Sequence, residues 1–202
     1  MRIRQHVNPN QLHFTRFRGE RPPLDERLVE LEIGCADAQF LFERAAADPS
    51  RLYVGLEIRE DLATLVNKKA RSLGTPVHAV FCQAQLHTKE LFGAGSVERV
   101  YVNFPDPWFK RAHRDRRMVD PVLADQIAHV LRAGGELFVQ TDVWDIAIDA
   151  MSAFDPDERF TNAAGEWSFW KQGNPYGVRS WREQNAEETG LPIWRILYTR
   201  TA

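Results

Sequence analysis

The chain alternates between runs with an apolar residue at every second position and runs with one at every third or fourth. "LVELEIG" (Leu28–Gly34) follows the first pattern and reads as a strand, while "AQFLFERAAA" (Ala38–Ala47) has helical spacing. The pair recurs as the strand "LYVGLEI" (Leu52–Ile58) with the helix "DLATLVNKKARSL" (Asp61–Leu73), and "VHAVFC" (Val77–Cys82) is a third strand. A fourth strand is predicted over "VERVYVNF" (Val97–Phe104). It is followed by the helix "DPVLADQIAHVLRA" (Asp120–Ala133), which Gly134-Gly135 is expected to stop. "GELFVQTD" (Gly135–Asp142) gives a fifth strand leading into a helix near Trp144–Phe154, and "PIWRILYTR" (Pro192–Arg200) is a final strand. Strands alternating with helices predict βαβ units, hence an α/β fold whose mostly parallel sheet is covered on both faces. Sheets of this kind bind ligands at the carboxyl ends of their strands.

Composition narrows the class. With 202 residues, 44% of them hydrophobic and 27% charged, the chain can bury one core as an ordinary soluble domain. No apolar run approaches the length of a bilayer span, and the first residues lack the apolar core of a secretory signal, so a cytoplasmic protein is expected. Cys35 and Cys82 have no ligand-like spacing, and neither do His87, His113 and His129; no metal is expected.

Charge is unevenly distributed. Residues 1–21 carry five arginines against Glu20, and residues 110–117 carry Lys110, Arg111, Arg114, Arg116 and Arg117 against Asp115, so each stretch is +4. With a total of −2, the rest of the chain holds −10. Local positive potential on an acidic body suits phosphate, although such runs are also ordinary solvated surface. Residues 1–25, polar and ending in "RPP", read as a basic N-terminal arm, and 26–202 as the main domain.

The candidate chemistry lies at strand ends. Glu32 and Gly34 close the first strand, where Gly34 permits a tight turn into a helix whose N-terminus offers free N–H groups. Glu57 closes the second strand 23 residues after Gly34, a distance at which an acid can accept ribose hydroxyls; the plainer reading is a βα turn with a surface glutamate. Ala36 and Ala38 stand where a strong nucleotide fingerprint has more glycines. Asp106, between Pro105 and Pro107, has its direction narrowed by the following proline. It is either the rigid acid of a site or a cap for the next segment, and Trp108 either stacks on a base or cation or packs the turn. Arginine forks in 110–117 suit phosphate oxygens. Asp142, ending the fifth strand, either caps the next helix or faces the same pocket.

Together "LEIGCADAQFL", "GLEIRE", "YVNFPDPWFKRAHRDRR", "GGELFVQTD" and "SWREQNAEETGLPIWR" resemble the bacterial tRNA (guanine-N7)-methyltransferase family, in order and spacing, from Leu28 to the C-terminus. The resemblance implies a Rossmann-like class I methyltransferase fold: a seven-stranded, mostly parallel sheet with helices on both faces and an antiparallel last strand. It implies S-adenosylmethionine as cofactor and N7 of a guanine in the variable loop of tRNA as acceptor. Carried over by motif, Asp106 is the catalytic acid, and Glu32, Gly34, Glu57, Gln83 and Asp106 bind the cofactor. Lys110, Asp142, Ser180 and Glu183 bind the substrate, and Ala112, His113, Arg114, Asp115, Arg116 and Arg117 form the RNA-contacting segment. The partner is tRNA, with no membrane and no metal, and the protein is a monomer or homodimer. The chain departs from the family at Ala36 and Ala38 (glycines), Gln83 (an acid) and Ser180 (threonine). Guanine N7 has an in-plane lone pair and no proton, so no general base is needed; Asp106 is expected to meet the positive charge developing on the ring. The alternative from another class is a non-catalytic RNA-binding module with a decayed cofactor site. A methyltransferase for a small molecule is a third reading, against which the cationic segment speaks.

Overall fold

Val29, Leu31 and Ile33 belong to an apolar cluster on one side of the first strand, so the alternation of a strand turns Glu30 and Glu32 to the other side. The computed structural model describes residues 7–202. This strand, β1 (Val29–Ile33), leads through α1 (Gln39–Ala47) to β2 (Leu52–Glu57), then through α2 (Glu60–Leu73) to β3 (Val77–Phe81). After α3 (Ala84–Leu91) come β4 (Val97–Asn103), α4 (Pro121–Val130) and β5 (Leu131–Thr141), then α5 (Trp144–Phe154), β6 (Phe160–Asn162), α6 (Trp181–Glu188) and β7 (Trp194–Arg200). The seven strands form one sheet in the order β3-β2-β1-β4-β5-β7-β6. The pairs among β1 to β5 are parallel, and β7 runs antiparallel to both β5 and β6.

The same alternation sorts the core. Val100 and Val102 of β4 and Leu137 and Val139 of β5 join the cluster closed by residues of α3, α4 and α5. Tyr101 and Phe138, one residue out of phase, join the opposite cluster with residues of α1 and α2 and with Tyr176. The second face also carries charge. Glu30 is fully buried and accepts from Arg44 at 2.8 and 3.0 Å, from Arg99 at 3.0 Å and from the Tyr101 hydroxyl at 2.7 Å.

The predicted helix over Asp120–Ala133 ends earlier, at Val130, and Gly134-Gly135 has a different task. Leu131 already pairs with Val97, and the next pair is Arg99 with Glu136, so residues 132–135 bulge out of β5. Gly134 takes φ +72°, and a Cβ on Gly135 would lie 2.8 Å from the Glu98 carbonyl oxygen. The glycines therefore serve a bulge inside a strand rather than a helix stop.

Within the N-terminal segment, residues 7–25 lie against the domain. Phe14 is buried with its ring 6.2 Å from that of Phe81, a Cβ on Gly19 would be 2.3 Å from the Phe81 carbonyl oxygen, and Arg21 pairs with Glu90 at 2.8 Å. One aromatic anchor, one close backbone approach and one ion pair hold this stretch against β3 and α3. Residues 1–6, with Arg2 and Arg4 of the predicted arm, lie outside the described residues. Among the described residues no helix is long and apolar enough to cross a membrane.

Candidate active site

The strand order reverses direction between β1 and β4, and a crevice opens at the carboxyl ends of strands at such a point. Here a cleft open to solvent, about 1200 Å³ when its open mouth is included, is lined by Glu32, Gly34, Glu57, Gln83, Asp106 and Ser180. Lys110, Asp142 and Glu183 are not among its lining residues.

The floor is the β1–α1 turn. Gly34, Ala36 and Ala38 take φ of +76°, +52° and +54°, left-handed at alternate positions. The Gly34 and Cys35 N–H groups both donate to the Leu56 carbonyl, at 2.8 and 3.1 Å, which pins the turn to β2. Gly55 leaves room for this: a Cβ there would lie 2.3 Å from Cys35 Sγ. Burial pushes the Cys35 thiol well above its ordinary range.

Glu32 is buried in the wall of the cleft. Its Oε1 accepts from Asn103 Nδ2 at 2.8 Å, and its buried Oε2 has no partner among the described residues. Burial pushes this carboxyl up to about 8; the Asn103 hydrogen bond opposes the rise, while Asp37 and Glu57 add to it. An orphaned carboxylate oxygen facing a cleft suits a cationic ligand group, which restores the charge that burial disfavours.

Glu57 is not a surface glutamate. It is 2% exposed; Oε1 accepts from Arg59 N at 3.0 Å and Nε at 2.7 Å, and Oε2 accepts from Ala36 N at 2.8 Å and Arg59 Nη2 at 3.0 Å. Accepting ribose hydroxyls here requires Arg59 to give way. Arg59 also lines the cleft and was not singled out from sequence; its signal is its place two residues beyond Glu57. Gln83 caps α3, accepting from Leu86 N at 2.9 Å and donating to Gln85 at 2.9 Å.

Asp106 stands between two prolines and two left-handed aromatics, Phe104 at φ +48° and Trp108 at φ +42°. Bulky residues hold that conformation at a cost of about 1–3 kcal/mol each, so surrounding structure must over-determine the turn. Part of that structure is Arg116, whose guanidinium lies 5.1 Å from the Trp108 ring centroid, with the His113 ring edge-on at 5.8 Å. Arg117 is buried beneath, donating to the Pro107 carbonyl at 2.9 Å and to Asp149 at 2.6 Å.

The basic stretch 110–117, which includes the predicted RNA segment Ala112–Arg117, is therefore divided. Lys110, Arg111 and Ala112 are exposed, Arg114 pairs with Asp145 at 3.3 Å, and Asp115 accepts from Asn10 at 2.8 Å. Asp142 does not cap α5, whose N-cap is Val143; it is ion-paired with Arg182, which lines the cleft. Ser180 caps α6 by accepting from Glu183 N at 3.2 Å. Glu183 itself is fully buried and accepts from Arg195, Gln140 and Asn174. No group of histidine, cysteine and acidic side chains able to hold a metal occurs among the described residues.

A family model described as "Putative methyltransferase" matches residues 26–196. The chain is 35% identical to the tRNA (guanine-N(7)-)-methyltransferase of Parasynechococcus marenigrum, over 99% of this chain and 89% of that protein. It is 36% identical to the enzyme of the same name from Synechococcus elongatus, over 99% and 97%. Among solved structures it resembles the 16S rRNA methyltransferase KamB (TM-score 0.58, 15% identity, 87% of this chain and 88% of that one). It also resembles a geranyl diphosphate methyltransferase in complex with SAM (TM-score 0.56, 15% identity, 89% and 79%). At such low identity these two structures speak for the fold alone.

Proposed function

The chain belongs to the tRNA (guanine-N(7)-)-methyltransferase family, and from that premise we propose that it transfers a methyl group from S-adenosylmethionine to N7 of a guanine in the variable loop of tRNA. The observation that carries the reading is the unpartnered, buried Glu32 Oε2 in the switch-point cleft that Asp106 also lines. S-adenosylmethionine supplies an electrophilic methyl on a sulfonium. Glu32 holds its cationic part, and the β1–α1 turn, Glu57 and Gln83 hold its nucleoside. The turn is formed with Ala36 and Ala38 in the backbone conformation that glycines take, which speaks against a decayed site.

On the acceptor side, no proton has to leave N7, so Asp106 has no base to serve as. It orients the guanine and faces the charge that grows on its imidazole ring. Positioning two reactants contributes ~7–11 kcal/mol, against ~3–5 kcal/mol for one acid or base group, so orientation dominates. Lys110, Arg111 and Arg114 hold phosphates around the site. In A-form RNA the major groove, where N7 points, is too deep and narrow for side chains, which favours a guanine in a loop or tertiary core.

The test is nucleoside mass spectrometry of unmodified tRNA incubated with S-adenosylmethionine and the protein. Wild type is expected to make N7-methylguanosine. Asp106→Ala is expected to bind tRNA almost normally and to lose on the order of 10²–10⁴-fold in turnover. Equal turnover in the variant rules out the acid's role, and absence of product from wild type rules out the acceptor.

A further inference from the structure

Three neighbouring strands place a polar side chain at the same rung of the sheet: Asn103 of β4 is the register partner of Gln140 of β5, and Gln140 that of Arg195 of β7. Gln140 Nε2 donates to Asn103 Oδ1 at 2.9 Å and to Glu183 Oε2 at 3.0 Å, and Asn103 Nδ2 donates to Glu32 Oε1 at 2.8 Å. Arg195 donates to Gln140 Oε1 at 3.3 Å and to Glu183 Oε1 at 2.8 Å. Donors therefore run in one direction, from Arg195 through both amides to Glu32. A reversed Asn103 would turn an oxygen on the carboxylate, so Gln140 fixes which end of Asn103 meets Glu32.

The two ends of this chain are the two sides of the cleft. At one end Glu32 lines the cleft, its buried Oε2 without a partner among the described residues. At the other, Glu183 anchors the first turn of α6, from which Ser180, Trp181 and Arg182 line the cleft. Gln140 is fully buried and lines nothing. Polar side chains in a sheet core cost stability unless fully partnered, and an apolar pair fills the same rung more simply.

Resting on the proposed reaction, we propose that Asn103 and Gln140 are positioning residues that hold the Glu32 carboxylate and the α6 wall in one hydrogen-bonded frame. Affinity for S-adenosylmethionine and seating of the acceptor then both depend on Gln140, a side chain that reaches neither.

The experiment compares wild type with Gln140→Met and Asn103→Leu, measuring S-adenosylmethionine Kd by calorimetry, then KM and kcat on a tRNA transcript. Tyr101→Phe is the control: it removes a buried bond to Glu30, which does not line the cleft. Both Gln140→Met and Asn103→Leu are expected to raise the cofactor Kd roughly tenfold, the factor carried by one hydrogen bond to a charged group. Gln140→Met is also expected to raise KM for tRNA, whereas Tyr101→Phe lowers Tm and moves neither affinity. Unchanged cofactor Kd in both variants, or an equal rise in Tyr101→Phe, overturns the proposal. Should Gln140→Met not fold, Asn103→Leu at the cleft wall decides through its cofactor Kd. If wild type binds the cofactor but methylates no guanine N7, the reaction assigned above falls, while the Kd comparison still decides this inference.

Discussion

Glu32 lines the cleft with one oxygen bound by Asn103 and one without a partner among the described residues. Its carboxyl titrates near 8 in place of 4.5, because burial disfavours the charged form and Asp37 and Glu57 add repulsion. A folded-state value raised this way gives a contribution to stability that is fully present below about pH 4.5 and lost as pH rises through about 8. Between those limits the ligand-free carboxyl holds its proton, and a cationic cofactor requires it to leave. Binding of S-adenosylmethionine near neutral pH is therefore expected to release up to about one proton. Calorimetry in two buffers of different ionisation enthalpy measures it, and Glu32→Gln should abolish the buffer dependence while weakening binding. Equal heats in both buffers for wild type would mean that Glu32 keeps its protonation state when the cofactor binds, which overturns the expected release.

At the scale of elements, the β1–α1 turn holds two alanines where glycine is preferred. Replacing Ala36 by glycine removes a left-handed penalty of ~1–2 kcal/mol and returns part of it as entropy of the unfolded chain, for a net gain of roughly 0.5–1 kcal/mol. Ala38 has the same φ, yet its methyl is fully buried among the residues of α1 and its neighbours, and losing that packing costs about as much as the relief gains. Urea unfolding should show Ala36→Gly more stable than wild type and Ala38→Gly close to it; a large gain at Ala38 contradicts this balance. Elements with a full apolar period were legible from sequence: β1 to β4, α1, α2 and α5 fall within a residue or two of their predicted bounds. Periodicity did not mark α3, β6 or α6. The first is eight residues begun by the Gln83 cap, the second is three residues paired with β7, and α6 buries little besides Glu183 and Ala186. Such elements are held by caps and distant partners, which local pattern does not record. The site divides in the same way. Glu32, Glu57, Gln83 and Asp106 converge because each follows or ends a parallel strand. The bonds joining Glu32 to Glu183 pass through Asn103 and Gln140, residues that only strand register brings together.

Over the whole molecule, the basic segment beside the cleft does two jobs with one charge sign. Arg117 is spent inside the protein: it ties the Pro107 carbonyl, in the turn that presents Asp106, to α5 through Asp149 and Asp145. Arg111 is exposed, and Arg114 pairs with the solvent-exposed Asp145, a pairing worth about 0–1 kcal/mol that phosphate can replace. The two kinds of arginine are separable by salt. For Arg111→Ala with Arg114→Ala, tRNA affinity should fall, and the slope of log affinity against log salt should flatten by roughly 0.7–0.9 per cation lost, with Tm unchanged. Arg117→Ala should leave that slope nearly intact and instead lower stability by about 1–3 kcal/mol, since it strips partners from a part-buried carbonyl and two carboxylates. Filter binding across a salt series, beside thermal unfolding, distinguishes the two. A flattened slope in Arg117→Ala without loss of Tm would move that residue from the protein's interior frame to its RNA face. On a body carrying −10 outside its two basic stretches, the exposed cations beside the cleft then set where RNA lands, and the buried one sets where the acid stands when it arrives.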